Sequence, residues 1–258
     1  MHITTVDRII DTADRLDATI PKPVLNKWKK LTALRIKASN IDLGTVDLPA
    51  AILNAMEKGN DVATDPGVQQ AVTVTAIGDV QRVVNSRLDA RVRDFAIENA
   101  PAILEGFRTP FDKAASVIRK SQEVLGDVAL EDSRAVLSRG GDAAALWAES
   151  QEADKVIADI RTSWKLMGTV APTGLPDARH ALMVICDLPP HVFIDEQPDP
   201  KMRAWDVARR GWPLALATPE SIREQIDVIA QERQQREVQA QGAFAKEHQR
   251  TRGIGASR

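Results

Sequence analysis

The chain has 258 residues and a mass of 28.2 kDa, and its 43% hydrophobic content is enough to cover one large core or two modest ones. A formal net charge of −2 and a pI near 6.1 exclude a global positive field of the kind that holds nucleic acid or anionic lipid by charge alone. A single cysteine, Cys186, excludes an intramolecular disulfide, and no stretch approaches the roughly 20 apolar residues that span a bilayer.

The opening residues, Met-His-Ile-Thr-Thr-Val-Asp-Arg, lack the basic start and apolar run of a secretory leader, so the expectation is a soluble, cytoplasmic protein or one held inside an assembled particle. Aromatics make up 4%, with five Trp, five Phe and no Tyr, which leaves helix packing to Ala, Leu, Val and Ile. Such small side chains bury little area each, at about 25 cal/mol per Å², and favour a thin assembly of helices over one thick globule.

One pattern punctuates the chain: a small polar residue, then proline, then residues at helical spacing. It occurs at Thr64-Asp65-Pro66, Asn99-Ala100-Pro101, Thr109-Pro110, Asp199-Pro200 and Thr218-Pro219. Proline is well placed at a first helical position, where its missing N–H would have no partner, and Thr, Asp or Asn before it can accept from the free amides of the first turn.

In chain order, Val6, Ile9, Ile10, Ala13 and Leu16 predict an amphipathic helix over 4–17. The next helix carries Val24, Leu25, Trp28, Leu31 and Leu34 on one stripe, and between them Lys22, Lys27, Lys29, Lys30, Arg35 and Lys37 without a single acid. Residues 40–49 interrupt with Gly44 and Pro49, and a helix from about Ala50 to Lys58 stops at Gly59. From Pro66 one long helix is expected to Glu98, with Val68, Val72, Val80, Val84, Leu88, Val92 and Phe95 at near-heptad spacing. Val72-Thr73-Val74-Thr75 also alternates like a strand, but no second strand with turn chemistry lies nearby. Pro101 predicts a kink or restart. Thr109-Pro110, with Asp112 as a capping-box variant, opens a helix that carries Phe111, Ala114, Ala115, Ile118 and Leu125 to Gly126. A short helix from about Ala129 to Leu137 precedes Gly140-Gly141.

Asp142 is placed to cap a further helix in which Leu146, Ala153, Ile160 and Met167 recur every seven residues, with Ile157 and Trp164 between them. These six residues form a coiled-coil-like seam and are the candidate partner-binding set; the same spacing also suits an ordinary bundle helix. After Gly168 the composition changes, and Ala181 to Cys186 with Val192-Phe193-Ile194 reads as a small strand pair or a buried helical turn. Pro200 to Arg210 reads as a helix with Met202, Trp205 and Ala208 inward. The last helix starts at Thr218-Pro219, uses Ile222, Ile226 and Ile229, and then turns polar, keeping only Val238 and Phe244 as apolar positions before an Arg-bearing tail over 250–258.

The expected fold is therefore mainly α: an elongated helical bundle over 1–168, a smaller C-terminal module with minor β content over 169–232, and a polar helix and tail over 233–258.

The chemistry-bearing residues are few. Cys186 lies near His180 and His191, but it ends an apolar run and precedes Asp187, a setting that raises a thiol pKa and suits a buried, inert cysteine. His191, Asp195, Glu196 and Asp199 have neither the helical His spacing nor the calcium-loop glycine of a metal site. No phosphate loop, nucleophile elbow or dinucleotide fingerprint occurs, and Ser138-Arg139-Gly140-Gly141-Asp142 reads as a turn. No catalytic residue, cofactor or metal is assigned. The leading expectation is a non-enzymatic structural or interaction protein that associates with itself or with another protein: a scaffold, an assembly factor or a particle component of the sort a phage or mobile element encodes. The alternative is a nucleic-acid-associated protein using Lys22, Lys27, Lys29, Lys30 and Lys37 with Arg250, Arg252 and Arg258 as cationic contacts.

Overall fold

The computed structural model describes residues 2–39, 47–172 and 178–254. Among them the chain is mainly α, with ten α-helices, one 3₁₀ turn and no strand or sheet. In order these are α1 (His2–Arg15), α2 (Lys22–Ser39), α3 (Leu48–Glu57), α4 (Pro66–Glu105), α5 (Arg108–Leu125), α6 (Ser133–Leu137), α7 (Gly141–Gly168), the 3₁₀ turn Ala178–Val184, α8 (Pro190–Asp195), α9 (Ala204–Arg209) and α10 (Pro219–Ile254).

Two of the proline signals work as their chemistry dictates. Asp65 precedes Pro66 and its carboxylate accepts the amides of Gly67 at 2.9 Å and Val68 at 3.2 Å. At α10 the cap is reciprocal: the Thr218 hydroxyl accepts the Ser221 amide at 3.1 Å while the Ser221 hydroxyl accepts the Thr218 amide at 2.9 Å. The others are overridden by packing. α4 runs through Pro101 to Glu105, because Pro101 and Ile97, the residue whose carbonyl loses its donor, both sit on the solvent face where water can replace the bond. Asn99 turns its side-chain amide onto the Phe95 carbonyl at 2.8 Å.

Helix α5 begins at Arg108, ahead of Thr109-Pro110, and its first turn has no side-chain cap, so the Asp112 capping box does not form. Asp142 likewise lies inside the first turn of α7, whose cap position is Gly140 at φ +98°. The Asp199 carboxylate accepts the Lys201 amide at 2.8 Å and closes a turn; α9 starts four residues beyond Pro200.

The strand-like Val72-Thr73-Val74-Thr75 is helical within α4. Of the two readings of 181–194, a strand pair or a buried helical turn, the structure takes the helical one: a 3₁₀ turn, a single bridge between Cys186 and Leu214, and α8. Pro189-Pro190 removes two successive ladder donors and starts a helix, so the apolar run has no strand partner. The amides of Ala215 and Ala217 close the link onto the carbonyls of Ile185 and Val184. α10 continues to Ile254, so the tail expected from Arg250 is helical up to that residue. Arg258 lies outside the described residues, as do residues 40–46 and the side chains of Phe244, Arg250 and Arg252.

The core is centred on α5 and α7, with α1 and the C-terminal half of α4 laid against them. Phe107, Phe111 and Ile118 meet Ile157, Ile160, Trp164 and Met167, and Val6, Ile9 and Ala13 of α1 close one side. Small polar residues let α5 and α7 approach: the hydroxyls of Ser121 and Ser150 both donate to the Leu146 carbonyl. One buried cluster runs from Val6 to Ile229, so residues 169–232 share it with the bundle.

The N-terminal half of α4, with α3 and the end of α2, is a thinner region. Its buried side chains are Ala38, Ala55, Val68, Ala71 and Leu88, and they lie outside the main cluster. The row expected to be a continuous stripe divides here. Val68, Leu88, Val92 and Phe95 are buried, whereas Val72, Val80 and Val84 are exposed. A step of four residues advances about 40° around a helix of 3.6 residues per turn, so a row built on such steps winds from one face to the other.

Candidate functional site

Three regions carry the residues that the sequence singles out. The first is α2. Its inner side holds Val24, Trp28 and Ala38, and the Trp28 indole N–H donates to the Asp7 carboxylate at 3.1 Å while its ring lies 5.2 Å from that of Phe95. Burial pushes the Asp7 carboxyl up, and the Trp28 hydrogen bond opposes that. The outer side is basic. Lys22, Lys29, Lys30 and Lys37 fall within about a third of the helix circumference, all exposed and in no ion pair among the described residues. Lys27 lies off that face and pairs with Glu98 at 3.0 Å.

The second region is α7. Ala153, Ile157, Ile160, Trp164 and Met167 are all buried within this chain, and Leu146 is half-buried. Within this chain the seam packs against α5, α1 and α4. A heptad row reports only that a helix has a narrow greasy side. Whether that side meets its own chain or another is decided by where α5 and α1 go.

The third region surrounds Cys186, which is fully buried. Burial, with the Asp187 charge as a smaller contribution, pushes its thiol up to about 12. Among the described residues no group of His, Cys, Asp and Glu could hold a metal ion, and no helix is long and apolar enough to cross a membrane.

Two surface hollows were not anticipated. A groove of about 700 Å³ runs between the end of α1, α5 and α7, floored by Leu16, Pro110, Val117 and Val156 and rimmed by Lys113 and Glu149. A smaller hollow of about 370 Å³ beside α9 has Asp127, Asp199 and Asp206 opposite Arg209 and Arg210. The Asp206 carboxylate lies 3.3 Å from Arg209, and the Arg210 guanidinium stacks 5.0 Å over the Trp212 ring. Both draw on segments far apart in sequence, so no local motif signals them.

The outer face of α4 holds three valines that the spacing predicts as core, Val72, Val80 and Val84, together with Val83. Val72, Val80 and Val83 are half or more exposed, at 50%, 61% and 54%, and Val84 is 38% exposed.

Compared with known proteins, the chain matches no family model, no curated protein and no solved structure.

Proposed function

We propose that this chain is a non-enzymatic structural or interaction protein that associates with itself or docks into a larger assembly, as a scaffold, an assembly factor or a particle component. The observation that carries this reading is the amount of surface left uncovered. The chain exposes 16073 Å², whereas a compact protein of its mass exposes about 11,000 Å². That excess exceeds the roughly 1,600 Å² of a standard interface severalfold, and it includes apolar side chains on α2, α3 and α4 such as Ile36, Met56 and Val80. The enclosed Cys186 thiol supports a non-catalytic role, since nucleophilic cysteines need an open, electropositive setting.

Light scattering combined with small-angle scattering tests the reading. The expected result is a particle heavier than 28.2 kDa, or a monomer that a partner from the same assembly converts to one. A compact monomer that joins nothing overturns it.

A second reading, association with nucleic acid, is favoured by the uncompensated lysine face of α2. Lysines without base-reading arginines would grip phosphate and carry little sequence preference. Duplex DNA should then bind with an affinity that falls steeply with salt and is lost when Lys22, Lys29, Lys30 and Lys37 are changed to Gln. Binding that survives those changes, or an absence of binding at low salt, overturns this second reading.

A further inference from the structure

We propose that the outer face of α4 is a self-association surface on which a second copy of this chain docks antiparallel about a two-fold axis at the level of residue 78. The proposal rests on the reading of the chain as an assembly protein and specifies which face does the assembling.

Helical geometry brings Val72, Thr73, Ala76, Val80, Val83 and Val84 into one arc of about 120°, opposite the side on which Ala71 and Val92 are buried. All six are exposed, and no charged residue falls among them on that arc. The Thr73 hydroxyl is already spent on the Gln69 carbonyl at 2.8 Å, so the residue adds its methyl group without an unmet donor. The result is an uncharged apolar face about 18 Å long on a helix whose inner side covers little.

Its spacing identifies the occupant. Read from either end, the row is the same: Val72 and Val84, Thr73 and Val83, and Ala76 and Val80 are each equidistant from position 78. Two copies laid antiparallel therefore set each member of a pair at the level of the other member in the second copy, with Ala76 and Val80 nearest the centre of the contact. An isologous interface requires this reciprocity, in which one residue meets another and is met by it in return.

The flanking charges keep the same register. Beyond the apolar row, Gln69 falls opposite Arg87, and Asp65 falls opposite Arg91. Arg87 and Arg91 are exposed and have no ion-pair partner within the chain among the described residues. Asp65 is held ionised by the Asn60 side-chain amide and the Val68 and Gly67 amides. A parallel arrangement would instead set Arg87 against Arg87 and Arg91 against Arg91. Charge thus selects the antiparallel pairing that the apolar row permits.

The test combines register-specific cross-linking with sedimentation. Cys186 is buried, so Val72→Cys and Val84→Cys each add one accessible thiol to the full chain. In the antiparallel register position 72 of one copy and position 84 of the other stand at the same level on the two flanks of the contact, within the span of a short bismaleimide, whereas like positions stand about 18 Å apart along the axes. A mixture of the two variants treated with a short bismaleimide should form a cross-linked dimer, and each alone should not. The parent chain should sediment with a mass rising towards twice 28.2 kDa as concentration increases. The outward-facing double change Val80→Lys, Val83→Lys should abolish that rise while leaving the melting temperature of the monomer unchanged, and Arg91→Glu should weaken it most at low salt.

Cross-linking of either variant with itself overturns the register. Self-association that survives Val80→Lys, Val83→Lys overturns the face but leaves the assembly reading standing. A parent chain that stays monomeric at every concentration overturns the proposal and leaves the face to a partner of different sequence.

Discussion

The carboxylate of Asp154 on α7 accepts the main-chain N–H of Trp205 at 3.1 Å, so α9 takes an N-terminal cap from a different helix. No side chain of its own caps α9. The bond fixes the direction in which Trp205 enters the core, where its indole donates to the Val128 carbonyl at 2.9 Å.

Replacing Asp154 separates the bond from the charge. Burial raises the Asp154 carboxyl above its ordinary value of 3.8, with the Trp205 amide and the nearby Arg203 and Arg161 acting the other way. A carboxylate whose folded value is raised disfavours the fold when ionised, so its contribution worsens as pH rises from the ordinary carboxylate value through the raised one. Asp154→Asn keeps an acceptor and should be at least as stable as the parent at neutral pH, with an advantage that shrinks on acidification. Asp154→Ala strands the buried amide and should lose about 1–3 kcal/mol. Urea unfolding from pH 3 to 7 measures both.

Trp164 offers a cleaner test of polar burial. Its ring is fully buried, and its indole N–H has no hydrogen-bond partner among the described residues. The other two deeply set indoles, Trp28 and Trp205, each reach an acceptor. Trp164→Phe removes the orphaned donor at the cost of some ring volume, so it should change stability by no more than about 1.5 kcal/mol. Trp164→Ala should lose about 3–5 kcal/mol. A loss on Trp164→Phe as large as that for Ala would show that the nitrogen is satisfied in solution.

Cys186 should be silent. With its thiol pushed up to about 12 from 9.0, thiolate is about a thousandfold scarcer than at an unperturbed cysteine, and the sulfur is enclosed as well. Iodoacetamide at mildly alkaline pH should label the native protein only as fast as the chain opens, and the urea-unfolded protein within minutes. Rapid native labelling would mean that the bridge to Leu214 opens readily.

Acid should loosen α10 before the bundle. Arg236 of α10 pairs with Asp195 of α8 and with Glu232, and its hydrogen bond holds the Asp195 carboxyl below the usual range. A lowered carboxyl stabilises the fold above its ordinary value, and that contribution is lost as pH falls through the lowered one. Amide exchange over 219–236 should therefore quicken on acidification relative to α5 and α7, after correction for intrinsic rates. Asp195→Asn should produce the same effect at neutral pH and remove the acid dependence. Because the pair is exposed, raising the salt should mimic part of it.

Much of the architecture was legible because it depends on local rules. Pro66 and Thr218-Pro219 mark real helix starts, since Asp65 and Thr218 can satisfy first-turn amides without help from distant residues. Pro101 does not mark one, since its cost falls on a solvent-facing carbonyl while Phe95, Ile103 and Leu104 gain by continuing the helix. The surfaces were harder to read. The α7 row and the α4 valines look alike in sequence, yet one is enclosed and the other faces out. The difference lies in the partners: α5 packs along α7, whereas α2 and α3 reach only one side of α4. The groove beside Leu16 and Val156 belongs to three helices at once and has no signature in any of them.

The packing of α1 on α7 has a consequence for biogenesis. Arg15 reaches Asp159 at 2.8 Å, across 144 positions of chain. During translation the greasy side of α1, Val6, Ile9 and Ala13, lacks its larger bed, α7, until the 144 positions between Arg15 and Asp159 have been made. Over that interval the nascent chain holds the side only partly covered, which makes α1 a natural place for a chaperone to hold on.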